Sequence, residues 1–273
     1  MLRSTDDLQN FAIGATDGHI GHVKDFYFDD DAWVIRYLVV DTGSWLSGRK
    51  VLISPISIRA PDSIDQTLSA SMTKEQVRKS PDIDTDKPVS RQNEMEFGAY
   101  YGYPNYWGGE GMWGGSLYPY ELLPSYAGDG LYRAEHKREE AAYLTDERAR
   151  HRNDNPHLRS CKAVVGYHIH ASDGEIGHVA GFLVDDETWA IRYLIVNTSN
   201  WWIGHRVLVA PRWVTGVRWL DGSVSVDLSR DSVKAAPAYD SSAELNRQRE
   251  MKLYAHYGRS GYWAGSDVAA RQI

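Results

Sequence analysis

The chain has one cysteine, Cys161, among 273 residues. An intramolecular disulfide is therefore excluded, and so is a zinc site built from several thiolates. Long apolar runs are missing too. None approaches the ~18 residues of a membrane-crossing helix, and mean hydropathy is −0.49. No basic stretch followed by an apolar one opens the sequence, so no secretory signal is visible and a soluble cytoplasmic protein is expected. Cationic excess is also lacking. Thirty basic against 37 acidic residues leave a formal net charge of −7. That balance argues against non-specific nucleic-acid binding, which needs a basic footprint to displace counterions. The acidity is uneven: −5 over residues 1–109, −2 over 110–160 and 0 over 161–273. Phenylalanine is scarce at five residues, whereas ten Trp and 17 Tyr make an unusual aromatic load.

The sequence repeats itself. At an offset of 156, residues 13–109 align with 169–265 without a gap, and 38 of the 97 pairs are identical. Asp17-Gly18 returns as Asp173-Gly174, and Ile20-Gly21-His22-Val23 as Ile176-Gly177-His178-Val179. Ile35-Arg36-Tyr37-Leu38 returns as Ile191-Arg192-Tyr193-Leu194, while Trp33, Trp45 and Pro55 match Trp189, Trp201 and Pro211. Later, Glu94-Met95 matches Glu250-Met251 and Tyr106-Trp107 matches Tyr262-Trp263. A duplication implies two structural domains. The expected organisation is a first unit over 1–97, a linker over 98–160 and a second unit over 161–273.

Each unit begins as β structure. Asp17-Gly18 and Asp173-Gly174 have the chemistry of hairpin turns. Ile20 to Phe28 is β-branched and aromatic until Asp29-Asp30-Asp31 breaks it. Trp33 to Val40 is apolar on both parities except Arg36, as in a strand covered on most of both faces. A turn around Gly43 and Gly48 leads to Val51-Leu52-Ile53, stopped by Pro55. In the second unit, Ser223–Leu228 alternates as a further strand. Thr73-Lys74-Glu75-Gln76 is a capping box that opens a short helix ended by Pro81, and Ser229 and Pro237 frame its counterpart. A longer helix is expected from Ser241 to Tyr254, with a match around Ser90–Phe97. Residues 98–130 are rich in Gly, Tyr and Trp, and 131–154 are charged without an apolar face, as in a solvated helix or linker.

The Asp17-Gly18 turn, Ile20-Gly21-x-Val23, the acidic turn at Asp29, Ile35-Arg36-Tyr37-Leu38-Val39-Val40 and Val51-Leu52-Ile53-Ser54-Pro55 together resemble the PRC-barrel family. That family is named for the cytoplasmic domain of the photosynthetic reaction-centre H subunit. The second unit repeats all of these elements, so the resemblance covers about 75 residues per unit. It implies a mainly β fold of two tandem small antiparallel β-barrels, each followed by short helices. The family includes a domain of a ribosome maturation factor and many stand-alone bacterial proteins described as stress-response-like. What the resemblance carries over is the role of a non-catalytic adaptor that binds other proteins. Kinship also offers peripheral association with a reaction-centre-like membrane complex supporting electron transfer, and an RNA- or ribosome-linked role.

No constellation of catalytic residues stands out, so no enzyme, metal or cofactor is expected. Gly109-x-Gly111-x-x-Gly114 spells a dinucleotide pattern, which needs a strand before it and a helix at its third glycine. Tyr106-Trp107 precedes it and Ser116-Leu117-Tyr118-Pro119 follows, so an aromatic linker fits better. His168 and His170 would face one way on a strand, without an evident third ligand. His22 and His178 recur after a glycine and read as strand-end hydrogen-bonding residues. Asp29-Asp30-Asp31 and Asp185-Asp186-Glu187 lack the spacing of a calcium loop and read as solvated turns. Partner contacts are expected from the hairpin carrying Trp45 and Leu46, its counterpart Trp201 and Trp202, and the linker aromatics Tyr103 and Trp113. Retention of Trp45 and Trp201 between the diverged units favours capping of the barrel end, which leaves Trp202 as the better contact. A gap-free offset and a connection of about 60 residues allow a pseudo-twofold pair resembling a fused homodimer.

Overall fold

The computed structural model describes residues 1–59, 65–81, 89, 91–107, 111–123, 157–198 and 205–265. The fold is mainly β. The strands are β1 (Leu2–Ser4), β2 (Ala12–Ala15), β3 (Gly18–Asp29), β4 (Val34–Asp41), β5 (Lys50–Ile53), β6 (Thr67–Ser69) and β7 (Leu158–Ser160). They continue as β8 (His168–Ala171), β9 (Gly174–Asp185), β10 (Ile191–Asn197), β11 (Arg206–Val209), β12 (Val214–Arg218) and β13 (Ser223–Val226).

One sheet has the order β5-β4-β3-β2-β6, with β7 added against β3; the other runs β11-β10-β9-β8-β13-β12, with β1 added against β9. The expectation of small antiparallel β-barrels is met in part. Each hydrogen-bonded path is open among the described residues. Each also contains one parallel pair, β2 with β6 and β8 with β13, strands that are joined through the rest of their sheet rather than by a hairpin. The registers repeat at the sequence offset. Ala12 faces His22 and Ile13 faces Gly21, as His168 faces His178 and Ile169 faces Gly177, with a bulge at the same place in both.

The chain forms two compact units. One comprises Met1, residues 3–163 and 184–191; the other comprises Leu2, 164–183 and 192–273. The hairpin tip 184–191, although part of the second sequence repeat, thus belongs to the first unit. In the first unit Ile13, Ile20, Phe26, Ile35, Leu38 and Ile53 are fully buried; in the second, Ile169, Val179, Phe182, Leu194, Val209 and Val224 are. Strand β4, apolar on both faces apart from Arg36, is buried along Val34–Val40, as its lack of alternation predicts.

Short helices follow the sheets. Thr73 and Gln76 close the expected capping box at the head of Lys74–Arg78, with Gln76 N donating to Thr73 Oγ1 at 3.2 Å and Thr73 N to Gln76 Oε1 at 2.8 Å. The turn aspartates fasten these helices to their sheets. Asp17 Oδ1 accepts from Lys74 N at 2.8 Å, and Asp173 Oδ1 accepts from Arg230 N at 2.7 Å. The longer helices differ from their expected bounds. One runs Arg91–Tyr101, through Gly98, and the other runs Arg247–His256. The second starts late because Asn246 caps it, accepting from Arg249 N at 3.1 Å, while Asp240 holds Ser242 in a turn ahead of it.

Candidate functional site

The two linker aromatics that were candidates for contact are occupied within the first unit. Trp113 is 1% exposed, and its Nε1 donates to Thr188 O at 2.8 Å. Beside it lies Arg36, 3% exposed, with its guanidinium carbon 3.8 Å from the Tyr106 ring centroid and 4.7 Å from that of Trp113. Arg36 Nη1 donates to Met112 O at 2.6 Å, and Nη2 lies 3.5 Å from Asp29 Oδ2. One cation facing two rings set edge-on to each other thus draws the aromatic segment onto β4. Tyr103 is half-buried against a cluster of Tyr27, Tyr37, Val39, Leu52, Val89 and Phe97. Its hydroxyl is pushed up to about 12 by burial.

Trp45 folds back onto its own unit. Its Nε1 donates to Ile20 O, and Lys74 Nζ sits 4.4 Å above its ring. Leu46 beside it is half-buried. Trp201 and Trp202 lie outside the described residues, as does Gly109 of the glycine pattern. In that pattern Gly111 N donates to Gly114 O at 2.8 Å and Trp113 N to Ser116 O at 2.9 Å. No helix starts at Gly114; a tight aromatic turn occupies the place.

Asp29, Asp30 and Asp31 bring carboxylate oxygens within 4.8 Å of one another. Two of the three serve the turn and its ion pairs. Asp29 Oδ1 accepts from Asp31 N and Ala32 N, and Asp30 Oδ2 pairs with Arg159 Nε at 2.8 Å. Burial raises the Asp30 carboxyl, against the pull of Arg159. The turn closes on Trp33, whose φ of 55° recurs as 60° at Trp189. Within the same unit Ile35 N donates to Trp189 O at 2.9 Å, and Ile191 N to Trp33 O at 2.8 Å.

The arginine bond recurs as well. Arg3 Nε pairs with Asp186 Oδ2 at 2.7 Å, as Arg159 does with Asp30. The signal was in the sequence, since Leu2-Arg3-Ser4 and Leu158-Arg159-Ser160 are the same tripeptide at the same offset of 156. Both triplets are added strands, β1 and β7. The eight residues after them diverge, which hides the extension of the repeat.

Two glutamates anchor the aromatic tails. Glu94 is 2% exposed; it accepts from Tyr106 Oη, and its Oε1 lies 2.8 Å from His157 Nε2. Its counterpart Glu250 accepts from Tyr193 Oη at 2.8 Å and Tyr262 Oη at 3.0 Å and pairs with Arg247 at 2.9 Å. His168 pairs with Glu175 at 2.8 Å rather than with His170, and that bond lowers the Glu175 carboxyl. His22 is exposed and stands edge-on to His19 at 4.9 Å.

Cys161 is 2% exposed, and burial, helped by the Asp25 carboxylate, pushes its thiol well above the ordinary range. Only the thiolate is a nucleophile. Iodoacetamide should therefore leave Cys161 unmodified in the folded chain and alkylate it in urea, as read by intact mass. The sign of the linked pH effect follows. The folded state holds this proton after the unfolded thiol has lost its own, so the contribution is whole below pH ~8.5 and falls above it by about 1.4 kcal/mol per pH unit. Cys161→Ala should remove that slope between about pH 8.5 and 9.5; an unchanged slope would assign it to other groups.

On the second unit, the β12–β13 hairpin presents Leu220 fully exposed. Tyr167 Oη donates to Trp219 O at 3.1 Å, fixing the turn beside it. No helix among the described residues is long and apolar enough to cross a membrane.

An open sheet with a buried Arg on β4 beside its central strand defines the class as a small β-sheet domain with short helices. Residues 5–69 match the PRC-barrel domain model. The match spans the strands from β2 to β6, so a PRC-barrel domain is present in the first repeat. No curated protein is similar to the chain.

Proposed function

We propose that the chain is a non-catalytic cytoplasmic adaptor that binds other proteins and is built on two copies of a PRC-barrel-type domain. The observation that carries this reading is the PRC-barrel match at residues 5–69, since such domains are often interaction modules. The second copy is supported by the repeated register at an offset of 156, from Ala12–His22 to His168–His178. A non-catalytic role is supported by the state of the reactive groups: Cys161 is buried and protonated, and Glu94, Glu250, Asp29 and Asp30 are committed to structural partners.

The contact surface includes the β12–β13 hairpin. A fully exposed Leu220 beside Trp219 has the character of an interface anchor, an apolar side chain that gains by desolvation. Immobilised full-length chain should capture partner proteins from a native lysate of the source cells. Free chain should compete them off, and Leu220→Asp should cut their recovery at least about tenfold, as loss of an anchor worth ~1.4 kcal/mol or more would. Recovery identical to that of an unrelated acidic protein would sink the adaptor reading.

A further inference from the structure

The second unit holds an open cavity of about 270 Å³ between β11, the segment 237–245 and the helix Arg247–His256. Its wall is apolar, formed by Leu208, Leu245, Leu253 and Ala243, and its lining also includes Arg249, Lys252 and Asp240. The duplication supplies an internal comparison. The first-unit counterparts of Leu208, Leu245 and Leu253 are Leu52, Val89 and Phe97. All three are buried together in one cluster, Val89 and Phe97 at 1% exposure each. Leucine at 253 is smaller than the phenyl ring, and Leu245, although larger than valine, is only half-buried, so the space that Val89 and Phe97 fill in the first unit is left partly open. The helix changes charge at the same place. Asn93 becomes Arg249 and Glu96 becomes Lys252, so a neutral and an acidic residue both give way to cations, and both cations are exposed.

Asp240 opposes them only in part. It accepts hydrogen bonds from Ser242 N at 2.9 Å and Ser242 Oγ at 2.7 Å, and these bonds lower its carboxyl. Arg249 Nη1 donates to Glu244 O at 3.1 Å, which places the guanidinium across the end of the segment. Two cations against one carboxylate leave the mouth positive over an apolar floor. The volume lies below the roughly 300–1,000 Å³ typical of sites for drug-sized ligands. We propose that this pocket binds a small amphipathic carboxylate: an aliphatic chain on Leu208 and Leu253, with its carboxylate at Arg249 and Lys252.

The test uses full-length chain with n-octanoate as probe and n-octanol as its uncharged match, followed by isothermal titration calorimetry at low ionic strength, where exposed charges are least screened. Octanoate should bind saturably and at least tenfold more tightly than octanol. The paired change Arg249→Asn and Lys252→Glu, which restores the first unit's residues, should abolish that preference. Leu253→Phe should abolish binding of both probes. If that variant fails to fold, Ala243→Leu, which narrows the cavity from its half-buried wall, takes its place with the same expected loss. No heat of binding at millimolar octanoate overturns the proposal. So does equal affinity for octanol, which would mark an apolar groove for a partner's side chain, and so does binding that survives the filled cavity.

Discussion

Arg36→Ala should lower the unfolding free energy by about 3–5 kcal/mol, the cost of breaking a buried ion pair by deleting one partner. The side chain is 3% exposed on a strand whose other buried residues, Val34 to Val40, are hydrophobic. Its removal leaves three separate groups short of an interaction. Met112 O loses the donor at 2.6 Å, the Tyr106 and Trp113 rings lose the cation that faces both, and Asp29 keeps only its turn amides. Cavity and orphaned polar group add in the same direction. Arg36→Met retains most of the volume and should cost less than alanine. Arg36→Lys should fall between wild type and alanine, because an ammonium keeps the charge near the rings but cannot reach Met112 and Asp29 together. Urea unfolding followed by far-ultraviolet circular dichroism measures all three. A loss below about 1 kcal/mol for alanine would show that the aromatic segment holds to β4 without the arginine.

The same residue marks where sequence reading succeeds and where it stops. Arg36 was legible as the one polar residue in the apolar run from Trp33 to Val40, and strand β4 followed from that run. Its partners were not legible. Tyr106 and Trp113 lie 70 and 77 positions away in a glycine-rich stretch with no hydrophobic period, so nothing local sets their direction. Trp113 looked like a free contact residue for that reason, and it is buried instead. Arg192 and Tyr262 supply a check from the repeat: they stand at the same offset from Arg36 and Tyr106, and the guanidinium again lies over the ring, at 4.1 Å. A pair retained in both copies carries more spatial information than either residue alone.

Local chemistry was read more completely. The capping box at Thr73, the turn at Asp17 and the strand ended by Pro55 depend on neighbours within a few residues, and each is present. The added strands β1 and β7 depend on pairing across more than a hundred residues. Three residues are too few for a strand pattern, and only the repeated Leu-Arg-Ser betrays them. The open cavity was likewise out of reach. It rests on two paired differences, Phe to Leu and Val to Leu, that leave the summed side-chain volume almost unchanged and matter only through where each leucine sits.

The largest loss should come from a single methyl group. The Ile-Gly-x-Val motif places Gly21 on β3 where the end of β4 crosses closest. A Cβ built there would lie 2.0 Å from Asp41 O and 2.8 Å from Asp41 C, both backbone atoms of the paired strand. At Gly177 the same Cβ would lie 2.1 Å from Asn197 O, and φ is +137°. Neither obstacle is a side chain that can turn away. The strands must part, and the ladder bonds beside His22–Asp41 go with them. Gly21→Ala should therefore cost about 3 kcal/mol or more, with Gly177→Ala at least as damaging because its backbone conformation also disfavours a side chain. Gly14→Ala is the matched control. Its Cβ would meet only Thr67 Cγ2 at 3.9 Å, and the repeat already carries a side chain there, His170. That variant should stay within about 0.5 kcal/mol of wild type. Urea midpoints of the three proteins decide the matter. Equal midpoints would mean that the strand pair yields to a methyl group, and that both copies keep glycine in this motif for a reason other than close approach.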